Sequence, residues 1–530
     1  MGNLSGQMAT ALLAGVLLAV GLAWVVASLY RRRMLALMRG GVTPDVGNIG
    51  AIEATEADVG ARAAKVAKAA VGVRHPPPIP DVDANRRASR RLLFLLSGLS
   101  VLVAMTQSWL ALSIQFEALS LSRFLLLGAI YAWPMVLAWG LALRWPWRAV
   151  LAGIAIYLAL MIALVMLRST AQQTLSGVVV WLFTEVGVPL VIALAIGASG
   201  RIRAVAPYLL PFSLVLTSAS ILVLAALSAD VGSGSFVVAP IVNVLGAWGT
   251  LIAFALAPWL LLAWPVFALA RRLALAYRRK RFSDLGYLFA AYWFVVLGCN
   301  ALPAVASIGV AGLGILLPWL WLPLAGWLLA LRQPSAGNPP SLLVLRVFHQ
   351  DAQVERLFDQ VVERWRFTGN TMLIAGTDLV SRTLDPDDLF VFVDGQLERR
   401  FVNEPADVAM RLGDFDLDPD PDGRYRVNEC YCRDTTWELA LSALVADCDL
   451  VLMDLRGFQP NNLGCRHELR VLADAGHLRR VVVLHDERTA RQAAEADMAG
   501  APTGRFRWID AGRMNTAKAR EVLGALLTPA

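Results

Sequence analysis

Charge is scarce in this sequence: Asp, Glu, Lys and Arg make up 17% of its 530 residues, where an average globular domain carries about a quarter. With 57% of the residues hydrophobic, that shortfall excludes an ordinary soluble globular chain and points to lipid as part of the solvent. Cysteine is also sparse. The five present follow no regular spacing, which excludes a disulfide framework, and Cys430, Cys432, Cys448 and Cys465 read as free thiols of a reducing compartment. No G-x-x-x-x-G-K-[ST] occurs, so a nucleoside triphosphatase is unsupported, although Asp454 ends an apolar run as a Walker B aspartate would. The N-terminus has no basic region ahead of its first apolar run. Arg31-Arg32-Arg33 follows that run instead, which predicts an uncleaved signal anchor with the N-terminus outside.

Long apolar runs are what the chain has in abundance. A membrane helix needs about twenty mostly apolar residues, and nine such stretches occur, near 9–30, 92–114, 124–143, 149–167, 177–198, 204–228, 244–270, 285–308 and 311–331. Residues 1–332 hold 25 Lys/Arg and 10 Asp/Glu, a net +15, while residues 333–530 hold 23 and 31, a net −8. The basic pI of the whole chain therefore reflects the positive-inside rule and not a nucleic-acid partner. Alternating the nine spans from an outside N-terminus places 23 of those 25 basic residues on one side, with only Arg123 and Arg168 on the other. This predicts a multi-pass inner-membrane protein, with the lipid bilayer as its partner and its C-terminal part in the cytoplasm. The apolar stretch 237–270 is too long for one untilted span, and Gly246 and Gly249 mark a bend or re-entrant turn in it. The last two spans, joined by a short Gly-rich connection, predict a tight hairpin. Residues 31–91 form a cytoplasmic loop in which Ile52–Arg74 reads as an Ala-rich helix, with acids early and bases late as the helix dipole favours.

Histidine is absent from every span, all five lying at 75, 349, 467, 477 and 485. Glu185, four residues before Pro189, is the one carboxylate within a span. A lone intramembrane acid is the sole sequence support for a transporter with a regulatory tail. The expected role of Glu185 is a hydrogen bond to a neighbouring helix.

Beyond the linker 333–340 the periodicity changes. Leu342–Phe348, Met372–Gly376, Leu389–Val393, Asp449–Asp454 and Arg480–His485 read as strands. Asp351–Arg366, Thr435–Val445, Cys465–Ala475 and Thr516–Leu527 read as helices. Alternation of this kind predicts a doubly wound parallel sheet over 341–530, in which ligands sit at the carboxyl ends of the strands. The strand ending at Asp454, its loop, and a helix opening at Gly464 place Glu468 in a first helical turn, facing the crevice mouth. There a carboxylate can stabilise an oxocarbenium-like centre, or simply complement the helix dipole.

The run Gly464-Cys465-Arg466-His467-Glu468-Leu469 is similar to the W-C-x-x-E-L signature of Toll/interleukin-receptor (TIR) domains, with Gly464 in place of Trp. The order strand–Asp–loop–Asn–x–Gly–x–x–x–Glu–Leu resembles that family and the nucleoside 2-deoxyribosyltransferases, over roughly 180 residues at the level of pattern. The same stretch also resembles bacterial membrane proteins that join several spans to such a domain. The resemblance implies a flavodoxin-like domain that cleaves or exchanges N-glycosidic bonds, NAD included. It implies Glu468 as catalytic residue and Asp454, Asn462 and Trp437 as ligand-orienting residues. A nucleotide is then substrate or ligand, with no resident cofactor. The first strand departs from the family by lacking S-x-x-D at its end.

Two metal motifs are weighed and set aside, so no metal is expected. Asp418, Asp420, Asp422 and Glu429 fall at positions 1, 3, 5 and 12 of a calcium loop, but prolines occupy positions 2 and 4. Cys430-x-Cys432 and Cys465-x-His467 supply four zinc ligands at a spacing tighter than usual. A membrane-anchored sensor or effector with a nucleotide-cleaving tail is the first functional expectation, a non-catalytic interaction module the second. Self-association remains open.

Overall fold

The computed structural model describes residues 2–39, 77–115, 120–168, 174–197, 202–233, 238–331, 338–347, 352–375, 386–393, 395, 397–433, 436–502 and 504–528. The Ile52–Arg74 helix and most of the linker expected from the sequence lie outside the described residues. The chain divides into two compact units, one of residues 1–30, 93–331 and 383–390, the other of 31–92, 332–382 and 391–530.

Among the described residues of the first unit and its helical continuations, nine helices are long and apolar enough to cross a membrane. They correspond one to one with the nine apolar stretches, which makes this a multi-pass membrane protein. Irregularities within them have local causes. Pro189 has no N–H to offer the carbonyl of Glu185, four residues earlier, and the backbone widens into a π turn at Phe183–Gly187. Half-buried Glu185 lies in that turn. Gly246, at φ +70° and ψ 173°, breaks the long Val238–Arg278 helix where the sequence predicts a bend.

The expected hairpin is tight. Asp284–Ile308 ends at Gly309, whose φ of +70° suits only glycine, and Gly309–Leu320 continues as a 3₁₀ helix before Trp321–Leu331. A Cβ on Gly312 would lie 2.3 Å from the Val305 nitrogen and 2.4 Å from the Ala304 carbonyl carbon. Both are backbone atoms that cannot swing aside. Gly312→Ala is therefore expected to force the two segments apart and cost about 1–3 kcal/mol, read as a lower thermal midpoint of the full-length protein in detergent. An unchanged midpoint would mean that the hairpin is looser than described.

The second unit is built on a seven-stranded, wholly parallel sheet. Its strands are β1 (Ser341–Arg346), β2 (Asn370–Ala375), β3 (Phe401–Val402), β4 (Val427–Cys432), β5 (Leu450–Asp454), β6 (Arg480–His485) and β7 (Phe506–Asp510). They lie in the order β3-β4-β2-β1-β5-β6-β7. The run β2-β1-β5-β6-β7 is the flavodoxin-like order, with β4 and β3 added at the β2 edge, and the direction of winding reverses between β1 and β5.

The helices that matter here are α1 (residues 352–365, with a π turn at Phe358–Val362), α2 (Pro386–Val393), α3 (Pro405–Gly413), α4 (Trp437–Asp447), α5 (Leu463–Asp474), α6 (Arg491–Asp497) and α7 (Thr516–Leu527). Strand residues alternate between faces. Leu343, Met372, Cys430, Val451, Met453, Val481 and Val483 pack with α3, α4, α5 and α6 in one core. Leu342, Val344, Leu450, Leu452, Val482 and Leu484 are equally buried and turn to the opposite face, the side of α1 and α7. Burial on both faces is why these strands read as continuous apolar runs.

One expectation needs correction. Leu389–Val393 is not a strand but the end of α2, whose Pro386-Asp387-Asp388 opening is a helix-start signal that outweighs the β-branched run. The segment with the calcium-loop spacing, set aside from its prolines, runs into β4, to which Glu429 belongs. Two of the segment's other acids are held by arginines, Asp420 by Arg426 at 2.8 Å and Asp422 by Arg424 at 2.9 Å, and Arg426 also reaches the nearby Asp416 at 3.3 Å.

Candidate functional site

The switch point between β1 and β5 brings Arg346 and Asp454 into register as neighbours at the carboxyl edge of the sheet. Asp454 does not wait there for a ligand. Arg456 clasps it from two directions, Nε to Oδ1 at 2.8 Å and Nη2 to Oδ2 at 2.5 Å. Its side chain follows Leu450 and Leu452 onto the α1/α7 face, whereas Val451 and Met453 face α5. Asp454 and Glu468 therefore stand on opposite sides of the sheet.

The β5–α5 loop is fastened at several points. Gly457, at φ +74°, turns its N–H onto Asp486 Oδ1 at 2.8 Å. Despite desolvation, which opposes it, that bond and those from Thr489 and Arg488 hold the Asp486 carboxyl below its usual range. Asn462 accepts from the Gln459 N–H at 2.7 Å, closing the turn and not capping the helix that follows. Arg466 and Arg470 both reach Asp497, at 2.6 and 2.8 Å, and tie α5 to α6.

α5 begins at Leu463, so Glu468 is its sixth residue and not part of its first turn, which holds no acid. The dipole explanation for this glutamate thereby lapses, since the effect fades beyond the first turn. Glu468 falls instead on the buried stripe of the helix, with Cys465 at i−3, Leu469 at i+1 and Leu472 at i+4. It is 5% exposed, and among the described residues its Oε2 is buried without a hydrogen-bond partner. Burial pushes its carboxyl up to about 8. Burial first, and then the Glu468 charge, push the Cys465 thiol up to about 12.

Trp437 opens α4, positioned by Thr436, whose buried hydroxyl donates to the Val402 carbonyl at 2.7 Å. Its ring meets His467 edge to face at 5.5 Å, and the place of a Cβ on Gly464 is 3.8 Å from the indole. The glycine standing at the signature's tryptophan position thus has an indole beside it, from the neighbouring helix. Of the residues singled out from sequence, Trp437 is brought against the helix of Glu468, while Asp454 and Asn462 serve their own loop. Glu185 belongs to the other unit. Cys430 and Cys432 lie 3.6 Å apart on β4, but among the described residues no three His, Cys, Asp or Glu gather as a metal site, so the four-ligand zinc arrangement does not form.

Sequence reasoning missed the arginines that neutralise Asp454, Asp420 and Asp422. The short spacings Asp454-x-Arg456 and Asp422-x-Arg424 are the signal that points to them. Comparison of the chain with protein families, with characterised proteins and with solved structures finds no match.

Proposed function

We propose that the chain is a membrane-anchored sensor or effector of the bacterial inner membrane, whose cytoplasmic TIR-like α/β unit binds a nucleotide and cleaves its N-glycosidic bond. The observation that carries this reading is the Glu468 carboxyl, buried on the core stripe of α5 with Oε2 unpartnered. An unpaired buried polar group costs about 1–3 kcal/mol, and a leucine would satisfy packing at this position without that cost. A carboxyl at this position therefore calls for a reason beyond the fold.

The chemistry follows from its environment. In the empty protein Glu468 is largely protonated at neutral pH, because burial holds it near 8. A cationic N-glycoside, such as a nicotinamide nucleotide, lowers that value by its own charge and so generates the carboxylate it needs. The anion then faces the positive charge that grows on the sugar as the C–N bond breaks, in a setting where water screens little. Trp437 supplies a flat apolar surface beside the same helix. The 23-to-2 division of basic residues supports the cytoplasmic placement of this unit.

The full-length protein in lipid nanodiscs, incubated with NAD and with nucleosides, is expected to release free base. Glu468→Gln is expected to lower turnover by roughly 10³-fold or more. The kcat/KM of the wild type should rise with pH to a plateau above about 8, since the free protein must ionise. Absence of both turnover and nucleotide binding in the wild type would remove the enzymatic reading in favour of an interaction module.

A further inference from the structure

Three arginines from distant parts of the chain converge in the second unit. Asn85, 4% exposed, donates through Nδ2 to the Arg364 carbonyl at 2.7 Å and to Thr368 Oγ1 at 2.8 Å, which sets Arg86 beside the end of α1. α7 packs on the Phe358–Val362 turn of α1, with Ala519 and Val522 buried and Arg520 exposed between them. Burial, then the charges of Arg520 and Arg86, disfavour the charged form of Arg364, which lies within the field of both.

Among the described residues, Arg364 and Arg520 lack an anion. Among the described residues neither Arg364 nor Arg520 makes a side-chain hydrogen bond or ion pair, and Arg86 has only a solvent-exposed contact with Asp83 at 3.4 Å. Three buried arginines elsewhere in this unit are matched by acids, Arg426 by Asp420, Arg424 by Asp422 and Arg456 by Asp454. Arg364 and Arg520 stand in residues 333–530, a region of net charge −8.

We propose that Arg86, Arg364 and Arg520 bind the phosphate of an anionic ligand. Guanidinium forks fit phosphate oxygens in pairs, and a half-buried fork such as Arg364 loses little water in doing so. Two sources share this chemistry, a phospholipid headgroup and a soluble phosphate. Arg86 precedes Leu92, where the apolar run 92–114 begins, by six residues of the Val82–Gln115 helix. That is about 9 Å along the axis, close to the depth of a headgroup layer beside the hydrocarbon, and it favours the lipid.

The test uses the full-length protein in nonionic detergent, with bound lipid counted by native mass spectrometry after incubation with equal amounts of phosphatidylglycerol and phosphatidylcholine. Phosphatidylglycerol is expected to be retained preferentially, and its retention to fall roughly fivefold for each arginine removed in Arg364→Gln and Arg520→Gln. Arg520 is exposed, so Arg520→Glu keeps the fold and is expected to reduce retention further. Loss of the lipid on addition of equimolar inorganic phosphate supports a soluble ligand at the same three residues; retention supports the headgroup. Equal retention of the two lipids, or retention unchanged in Arg520→Glu, would overturn the proposal.

Discussion

Raising the pH from about 5 to about 9 is expected to destabilise the α/β unit by several kcal/mol, and to leave Glu468→Gln nearly unaffected. The folded protein holds the Glu468 proton up to about 8, whereas an unfolded chain releases it near the ordinary glutamate value of 4.5. Between those two values the native state binds more protons than the unfolded state, so stability is full below about 4.5 and declines as pH rises toward 8. Each unit of difference is worth about 1.4 kcal/mol, which sets an upper limit on the order of 5 kcal/mol for the whole window. Relaxation and water entry reduce that figure. Protection of the β5 amides in hydrogen exchange of the full-length protein, corrected for intrinsic rates and followed against urea at each pH, reads the effect. A flat wild-type profile would mean that the carboxyl ionises without cost, and therefore that it is not buried as described. Glu468→Leu extends the experiment. It is expected to stabilise the unit by about 1–3 kcal/mol at neutral pH while abolishing turnover.

Removing Asp420 is expected to cost about 3–5 kcal/mol, in the range measured when one member of a buried ion pair is deleted. Asp420 is fully buried and receives Arg426 at 2.8 Å through Nη2 and 2.9 Å through Nε, while its own N–H donates to the Arg424 carbonyl at 2.8 Å. In Asp420→Ala the Arg426 guanidinium keeps the half-exposed Asp416 at 3.3 Å, which argues for the lower end of the range. The double variant Asp420→Ala/Arg426→Leu is expected to recover part of the loss, because it leaves no buried charge unmatched. The same pairing predicts that neither calcium nor a chelator shifts the urea midpoint of this unit. A calcium-dependent increase would mean that the carboxylates prefer the cation to their arginines.

Legibility of the fold varied with the physics of each element. The spans were legible because twenty apolar residues in a row have few solutions other than a membrane helix. β1, β5 and β6 were legible because strands covered on both faces are apolar throughout. β4 was not. Its Val427-Asn428-Glu429-Cys430 run carries polar side chains that face partners found only in three dimensions, Asn428 bonding Asp416 and Glu429 accepting from Tyr431. α2 misled in the opposite direction, since Leu389–Val393 has strand composition in a segment begun by a helix-start signal.

Composition and charge by themselves determined that this is a multi-pass membrane protein with an acidic α/β tail, because hydrophobic run length and arginine placement are properties of local sequence. The order of strand, loop and helix, with the family resemblance, singled out Glu468 and Trp437. Only the tertiary structure decided what those residues face. Whether a glutamate meets water or core depends on where its helix begins and what packs on it, and a start at Leu463 and not Cys465 moved Glu468 off the dipole-favoured turn. The strand pleat separated Asp454 from it, and nearby arginines consumed the acids that a one-dimensional reading left available for metal. Charges find their partners through space, and spacing along the chain reports only the shortest of those paths.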